Sequence, residues 1–202
     1  MEFRDVVRTR RMVRGYDPDR LVPADLVDRI LTHATHAPSA GFSQGWAFLV
    51  LETRETLDSF WAATTPPGAA SRWLAGMRTA PLIIVPLAHK DAYLDRYAEP
   101  DKGWADRDES RWSAPYWYID TGMASLLMLL TAVDEGLGAC FFGIPPQRLA
   151  AFREAFGVPD AYAPIGAITF GYRAADRRSA SLKRGRRPLD EIVHRGRFHP
   201  AA

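Results

Sequence analysis

The run Met123 to Val133 constrains this chain more than any other segment. It is the longest apolar stretch, and it lies between Asp120 and Asp134. A membrane helix needs about 20 apolar residues, so this run is too short to span a bilayer. It reads instead as the buried part of a helix from Pro115 to Glu135, ended by Gly136 or Gly138. A helix that is apolar on most sides needs cover on most sides.

Other elements alternate around it. Phe3 to Thr9 suits a short helix. A longer helix starts near Pro23, a residue favoured in the first turn, with Leu26, Val27, Ile30, Leu31 and Ala34 recurring on one face. It stops at Ala37-Pro38, because proline disfavours helix in the residue before it. Trp46 to Leu51 is a buried strand, and Thr53 caps a helix running to about Ala63. Pro66-Pro67-Gly68 breaks the chain. Leu82 to Leu87 is a second strand, whose Pro86 is best placed near an edge or end. Residues 98 to 113 read as irregular. Ala139 to Phe142, Arg148 to Phe156 and Ile165 to Phe170 read as strand, helix and final central strand. This alternation predicts an α/β or α+β architecture.

Composition excludes several functions. A net charge of +2 gives no general attraction for nucleic acid. The single cysteine, Cys140, allows no internal disulfide and no cysteine-rich metal site, and a reducing, cytoplasmic setting fits it. Set in an apolar run, Cys140 reads as a buried small hydrophobe. The start, Met1-Glu2-Phe3-Arg4-Asp5, lacks the apolar core of a signal peptide. There is no G-x-G-x-x-G, no G-x-x-x-x-G-K-[ST] and no H-E-x-x-H. His33 and His36 share a helix's polar side and read as a solvated pair, while His89, His194 and His199 are scattered.

Four segments remain as candidates for chemistry. Arg8, Arg10, Arg11 and Arg14 put four arginines in seven residues, either a solvated charge run or an anion site, since guanidinium forks match phosphate. Ala37 to Trp46 lies between helix and strand. Its small residues and Pro38 let a ligand approach the backbone, and Ser39 and Gln44 offer neutral hydrogen-bonding groups. Gly138 to Pro145 is a strand that ends in a glycine turn. The basic tail holds Arg177, Arg178, Lys183, Arg184, Arg186 and Arg187, with no recognised nucleic-acid module around it.

In order, these segments resemble the nitroreductase family. The resemblance rests on Phe3-x-x-Val6-Val7-x-x-Arg10-Arg11-x-Val13-Arg14-x-Tyr16, on Pro23 to Ala37 with Pro38-Ser39 and Gln44-x-Trp46, on Gly136-Leu137-Gly138 to Gly143-Ile144-Pro145, and on Arg186 to His194. It spans nearly the whole chain. It implies a single domain over 1–202, an α/β sandwich of the α+β class. Its central mixed, largely antiparallel sheet would be flanked by helices, with a variable substrate-lid region at about 64–113. It also implies an intertwined homodimer with the long apolar helix at the interface.

The resemblance further implies FMN at that interface. Arg10 with Arg184 and Arg186 would hold the phosphate, and Arg11 and Met12 would contact the cofactor partly through backbone. Arg14 would face the N1/O2 edge. Pro38, Ser39, Ala40 and Gln44 would come from the partner, and Phe142 and Gly143 would offer backbone donors near N5. Trp73, Trp104, Trp112 and Tyr116 would line the acceptor pocket.

The chain departs from the family pattern in three places. Gln44 is preceded by Ser43 and followed by Gly45 where the family commonly has Asn and Pro. Met12 stands where a small hydroxylic residue is frequent, and no Asn/Lys pair is evident around Arg72 to Met77. These changes bear on substrate range.

The activity implied is transfer of hydride from NAD(P)H through FMN to a planar electrophile such as a nitroaromatic or quinone, with no protein nucleophile and no metal. Alternatives within the resemblance are dehydrogenation, dehalogenation, flavin fragmentation and non-catalytic flavin binding. The partners expected are a second copy and a small-molecule acceptor, with no nucleic acid and no membrane.

Overall fold

The structure is a computed structural model that describes residues 1–175 and 179–198. Arg177 and Arg178 of the basic cluster, and His199, lie outside the described residues.

The strands are β1 (Trp46–Leu51), β2 (Leu82–His89), β3 (Gly138–Phe142), β4 (Tyr162–Pro164) and β5 (Ala167–Gly171). They form one sheet in the order β1-β2-β5-β3, with β4 also paired to β2. All strand pairs are antiparallel. A parallel bridge, Met12 to Ala139, attaches the N-terminal segment to the β3 edge and makes the sheet mixed.

The helices are α1 (Phe3–Thr9), α2 (Ala24–Thr35), α3 (Arg54–Thr64), α4 (Arg72–Met77), α5 (Lys90–Ala98), α6 (Tyr116–Asp134) and α7 (Leu149–Phe156). The expected architecture is therefore present. Thr53 caps α3 in a reciprocal box with Thr56. Pro23 precedes α2, and Gly136, at φ 75°, follows α6.

The sheet separates two apolar layers. Leu82 and Ile84 of β2 face Ile30, Ala34, Ala124 and Met128 of α2 and α6. Ile83, Val85 and Leu87 alternate to the other face and meet Phe60, Met77 and Phe152 of α3, α4 and α7. Because β2 is buried on both faces, it reads in sequence as a continuous apolar run. Cys140 belongs to the second layer and is buried.

One expectation is corrected. Pro86 lies in the middle of a central strand, not near an edge or end. It stands opposite Phe48 of β1 on one side, and on the other its carbonyl accepts from the Ile165 amide at 3.1 Å. In an antiparallel strand a residue's N–H and C=O point the same way. The missing N–H therefore faces the interruption between β4 and β5, at Ile165-Gly166, where the pairing is already irregular.

The sequence reading also passed over α4, β4 and most of α5. The stretch 64–113 contains α4, the central strand β2 and α5, followed by irregular chain.

Helix α6 buries Trp117, Asp120, Thr121, Ala124, Met128 and Ala132 among others. Tyr116, Ile119, Met123 and Leu126, spaced by three and four residues, form an exposed apolar stripe.

Candidate active site

The N-terminal arginines sit on a backbone that is pinned at both ends. The Arg10 amide closes α1 on the Val6 carbonyl. The Val13 amide donates to the Ala139 carbonyl at 3.0 Å, and the Tyr16 amide to Thr79 Oγ1 at 2.9 Å. The buried Tyr16 hydroxyl donates to the Val13 carbonyl at 2.7 Å and lies 2.8 Å from Thr169 Oγ1. Val13 and Gly15 point into the protein, while Arg10, Arg11, Met12 and Arg14 are half-buried. That is not the state of a solvated charge run. Arg10 Nη1 is shut off from solvent and has no hydrogen-bond partner among the described residues. A buried donor left unpaired costs about 1–3 kcal/mol, more when charged, so the position suits an anionic acceptor.

Arg14 borders a cavity of about 420 Å³ together with Gly15, Arg72, Trp73 and Gly76. Arg72 adds a second guanidinium that the sequence reading did not single out. The close approach at Gly76 fixes the cavity wall, because a Cβ there would lie 2.1 Å from the Arg14 carbonyl oxygen. Both partners are backbone, so neither can swing aside. Gly76→Ala is therefore expected to destabilise the protein by about 3 kcal/mol. Chemical unfolding reads this as a lowered midpoint, and an unchanged midpoint would mean the wall yields.

Trp73 also borders a second cavity of about 150 Å³, shared with Trp61, Thr65, Phe142 and Gly143. Phe142 stacks on Trp61, and Trp73 meets Phe142 edge-on. Beyond its chain neighbours, no atom of the described residues comes within 4 Å of where a Gly143 side chain would begin, and Gly143 is exposed.

The loop before β1 forms a separate group. Gly41, Phe42 and Gln44 have φ of 61°, 57° and 49°, a left-handed region that side chains rarely adopt. Such strain persists only where the surroundings over-determine it, and it clusters at functional sites. Three side chains hold this loop. Asp120 Oδ2 accepts from the Ala40 amide at 2.8 Å, Arg96 Nε donates to the Gly41 carbonyl at 3.0 Å, and Ser39 Oγ accepts from the Gln44 amide at 3.0 Å. Tyr93 donates to the same Asp120 oxygen at 2.9 Å. Burial, and then the Asp120 hydrogen bond, hold the Tyr93 phenol far above its usual range, so it keeps its proton. Gly45 is also explained here: a Cβ would lie 2.4 Å from the Tyr93 ring. Pro38 and Gln44 themselves are exposed.

The remaining predicted residues fall elsewhere. Trp104, Trp112 and Tyr116 gather with Tyr97 and Trp117 in one aromatic cluster, which packs beside Tyr93 and Ala40. Of the four proposed pocket aromatics, Trp73 borders the two cavities, while these three lie on the side of the 38–45 loop. Arg184 and Arg186 are exposed in a tail whose Leu182, Leu189 and Phe198 are also exposed.

Comparison with known proteins gives one consistent result. Residues 7–172 match the Nitroreductase family. A protein of Methanothermobacter thermautotrophicus, provisionally named NADH dehydrogenase/NAD(P)H nitroreductase, is 31% identical over 176 residues, covering 86% of this chain and 78% of that one. The oxygen-insensitive NAD(P)H nitroreductase of Salmonella typhimurium is 26% identical, covering 96% and 99%. Among solved structures, a Desulfovibrio desulfuricans protein in complex with FMN superposes with a TM-score of 0.73 at 25% identity, covering 98% of this chain and 99% of that one.

Proposed function

Since the chain belongs to the nitroreductase family, we propose that it is an FMN-dependent oxidoreductase that passes hydride from NAD(P)H to a small planar electrophile such as a nitroaromatic or quinone. The observation that carries this reading is the buried, unpartnered Nη1 of Arg10, four residues from the Arg14 that borders the larger cavity. The donor set suits FMN, with a guanidinium for the phosphate and an apolar, glycine-bordered wall for the ring.

Bound there, FMN supplies the hydride relay between donor and acceptor. The protein's own part is binding and positioning. Arg10, with Arg184 and Arg186, holds the phosphate, and the Arg11-Met12 backbone supports it. Arg14 would set positive charge at the N1/O2 edge, where a reduced ring carries negative charge. Phe142 and Gly143 present backbone donors near N5. The cytoplasm is the setting where NAD(P)H is available.

The same reading includes a homodimer. In the strand order β1-β2-β5-β3 the 38–45 loop leads into one edge strand, and Phe142 ends the other. Three strand spacings, about 14 Å, separate those edges. Pro38, Ser39, Ala40 and Gln44, with the Trp104, Trp112 and Tyr116 cluster, then serve the partner's flavin. The exposed stripe of α6 and the exposed apolar side chains of the tail are the surfaces a second copy covers.

The purified protein is expected to be yellow, to release FMN and not FAD on denaturation, and to bleach on addition of NADPH. A colourless protein that takes up no FMN overturns the reading, and so does release of FAD. Light scattering at micromolar concentration is expected to give a dimeric mass. A monomer that retains FMN would rule out the shared site.

A further inference from the structure

The smaller cavity carries an inference about which acceptor it takes. It lies at the C-terminal end of α3, where Trp61 and Thr65 stand one helical turn apart on the same face. Trp61 is only 5% exposed. Its indole Nε1 and the Thr65 Oγ1 are both buried without a hydrogen-bond partner among the described residues. The other hydroxyls bordering the cavity are already engaged: Thr64 donates to the Phe60 carbonyl at 2.7 Å, and Ser71 Oγ accepts from the Leu74 amide at 3.1 Å. Two unused polar groups on residues that line one apolar cavity call for an explanation, since buried polar atoms are nearly always paired.

Their chemistry narrows the ligand. An indole N–H can only donate, and a threonine hydroxyl can donate beside it, so both suit an acceptor oxygen. Among the described residues no charged side chain borders this cavity. A carboxylate would lose its hydration there without gaining a cation, whereas a carbonyl oxygen would lose little. The ring stack of Trp61 on Phe142, at 5.7 Å and 10°, gives a flat wall, with Trp73 edge-on to Phe142 at 5.6 Å. A volume of about 150 Å³ is one that accepts a single benzene-sized ring.

We propose that this cavity is a subsite for an uncharged, single-ring acceptor, whose carbonyl-type oxygen is held by Trp61 Nε1–H and Thr65 Oγ1–H. The proposal rests on the reading that Phe142 and Gly143 border the flavin, and it makes Trp61 and Thr65 determinants of specificity.

Calorimetric titration of the oxidised, FMN-loaded protein with acetophenone, ethylbenzene and benzoate tests it. These share one ring and differ in carrying a neutral oxygen, none, or a carboxylate. Acetophenone is expected to bind at least tenfold more tightly than either of the others. Thr65→Val, nearly isosteric, should remove most of that preference and leave ethylbenzene binding unchanged. Trp61→Phe, which keeps a ring against Phe142, should also reduce the preference. Because neither group has a structural partner, the thermal midpoint of Thr65→Val should hold or rise.

Preference retained in both variants overturns the proposal, as does tightest binding of benzoate. A fall of several degrees in the Thr65→Val midpoint also overturns it, by showing that the hydroxyl serves the fold. Failure to load FMN would instead sink the flavin reading, and the same three titrations on the flavin-free protein would still report on the subsite.

Discussion

Arg10→Ala is expected to weaken FMN binding tenfold or more, and by the same factor whether the flavin is oxidised or reduced. The phosphate carries its charge in both states, so a contact to it cannot favour one of them. A hydrogen bond to a charged group contributes about 1.5–3 kcal/mol, which sets the size of the loss. The free protein gains nothing comparable, because Arg10 Nη1 is buried with no partner of its own. Arg14→Ala should fail differently. In the proposed placement at the N1/O2 edge it removes positive charge where negative charge gathers only on reduction, so the reduced state should suffer more and the midpoint potential become more negative. For a two-electron couple 30 mV corresponds to about 1.4 kcal/mol, so a drop of about 30 mV or more is expected. Flavin titration and potentiometry on each variant separate the two roles. If Arg10→Ala shifts the potential and Arg14→Ala does not, the assignments are reversed.

Asp120→Ala should produce the largest loss of stability outside the apolar layers. The carboxylate is 3% exposed and accepts from both the Tyr93 hydroxyl and the Ala40 amide. Its removal leaves two donors without an acceptor, at about 1–3 kcal/mol each, so roughly 2–6 kcal/mol overall. For a chain of this size, 1 kcal/mol moves the midpoint by about 2–4 °C, giving a fall of roughly 4–24 °C by calorimetry. The cause is checked by Asp120→Ala combined with Tyr93→Phe. Removing the phenol as well as its acceptor should restore part of the loss. If the double variant is no more stable than the single, the Tyr93 hydroxyl was not what suffered.

Most of the fold was legible because its signals are local. The capping box at Thr53, Pro23 before α2, and the apolar runs of β1 and β2 each depend on neighbours in sequence. Helix α5, with little apolar periodicity, gave no such signal. Pro86 was misplaced because its tolerance depends on an interruption in another strand, nearly 80 positions later, that no local pattern announces. The arginines of the N-terminal segment were visible as a cluster, but only packing separates Arg10, with its buried unpaired nitrogen, from an ordinary solvated charge. Asp120 was visible as a lone carboxylate in an apolar helix and was read only as the end of a run. That it holds the 38–45 loop is a tertiary fact. The roles of Trp61 and Thr65 lay in an unremarked helix end, since the absence of a hydrogen-bond partner cannot be read from a residue's neighbours in sequence.

The bridge between Met12 and Ala139 has a consequence apart from ligand binding. Strand β3 is an edge of the sheet, and an uncovered edge offers its backbone to any passing strand. In this chain the Val13 amide takes up the Ala139 carbonyl there, and the N-terminal segment lies along the border. The segment that holds the arginines is thus also a selvage, keeping the fabric of the sheet from unravelling into intermolecular pairing. Proteolytic loss of the residues up to and including Val13 is expected to lower solubility, with aggregation starting at the bare border of β3 and not from global unfolding.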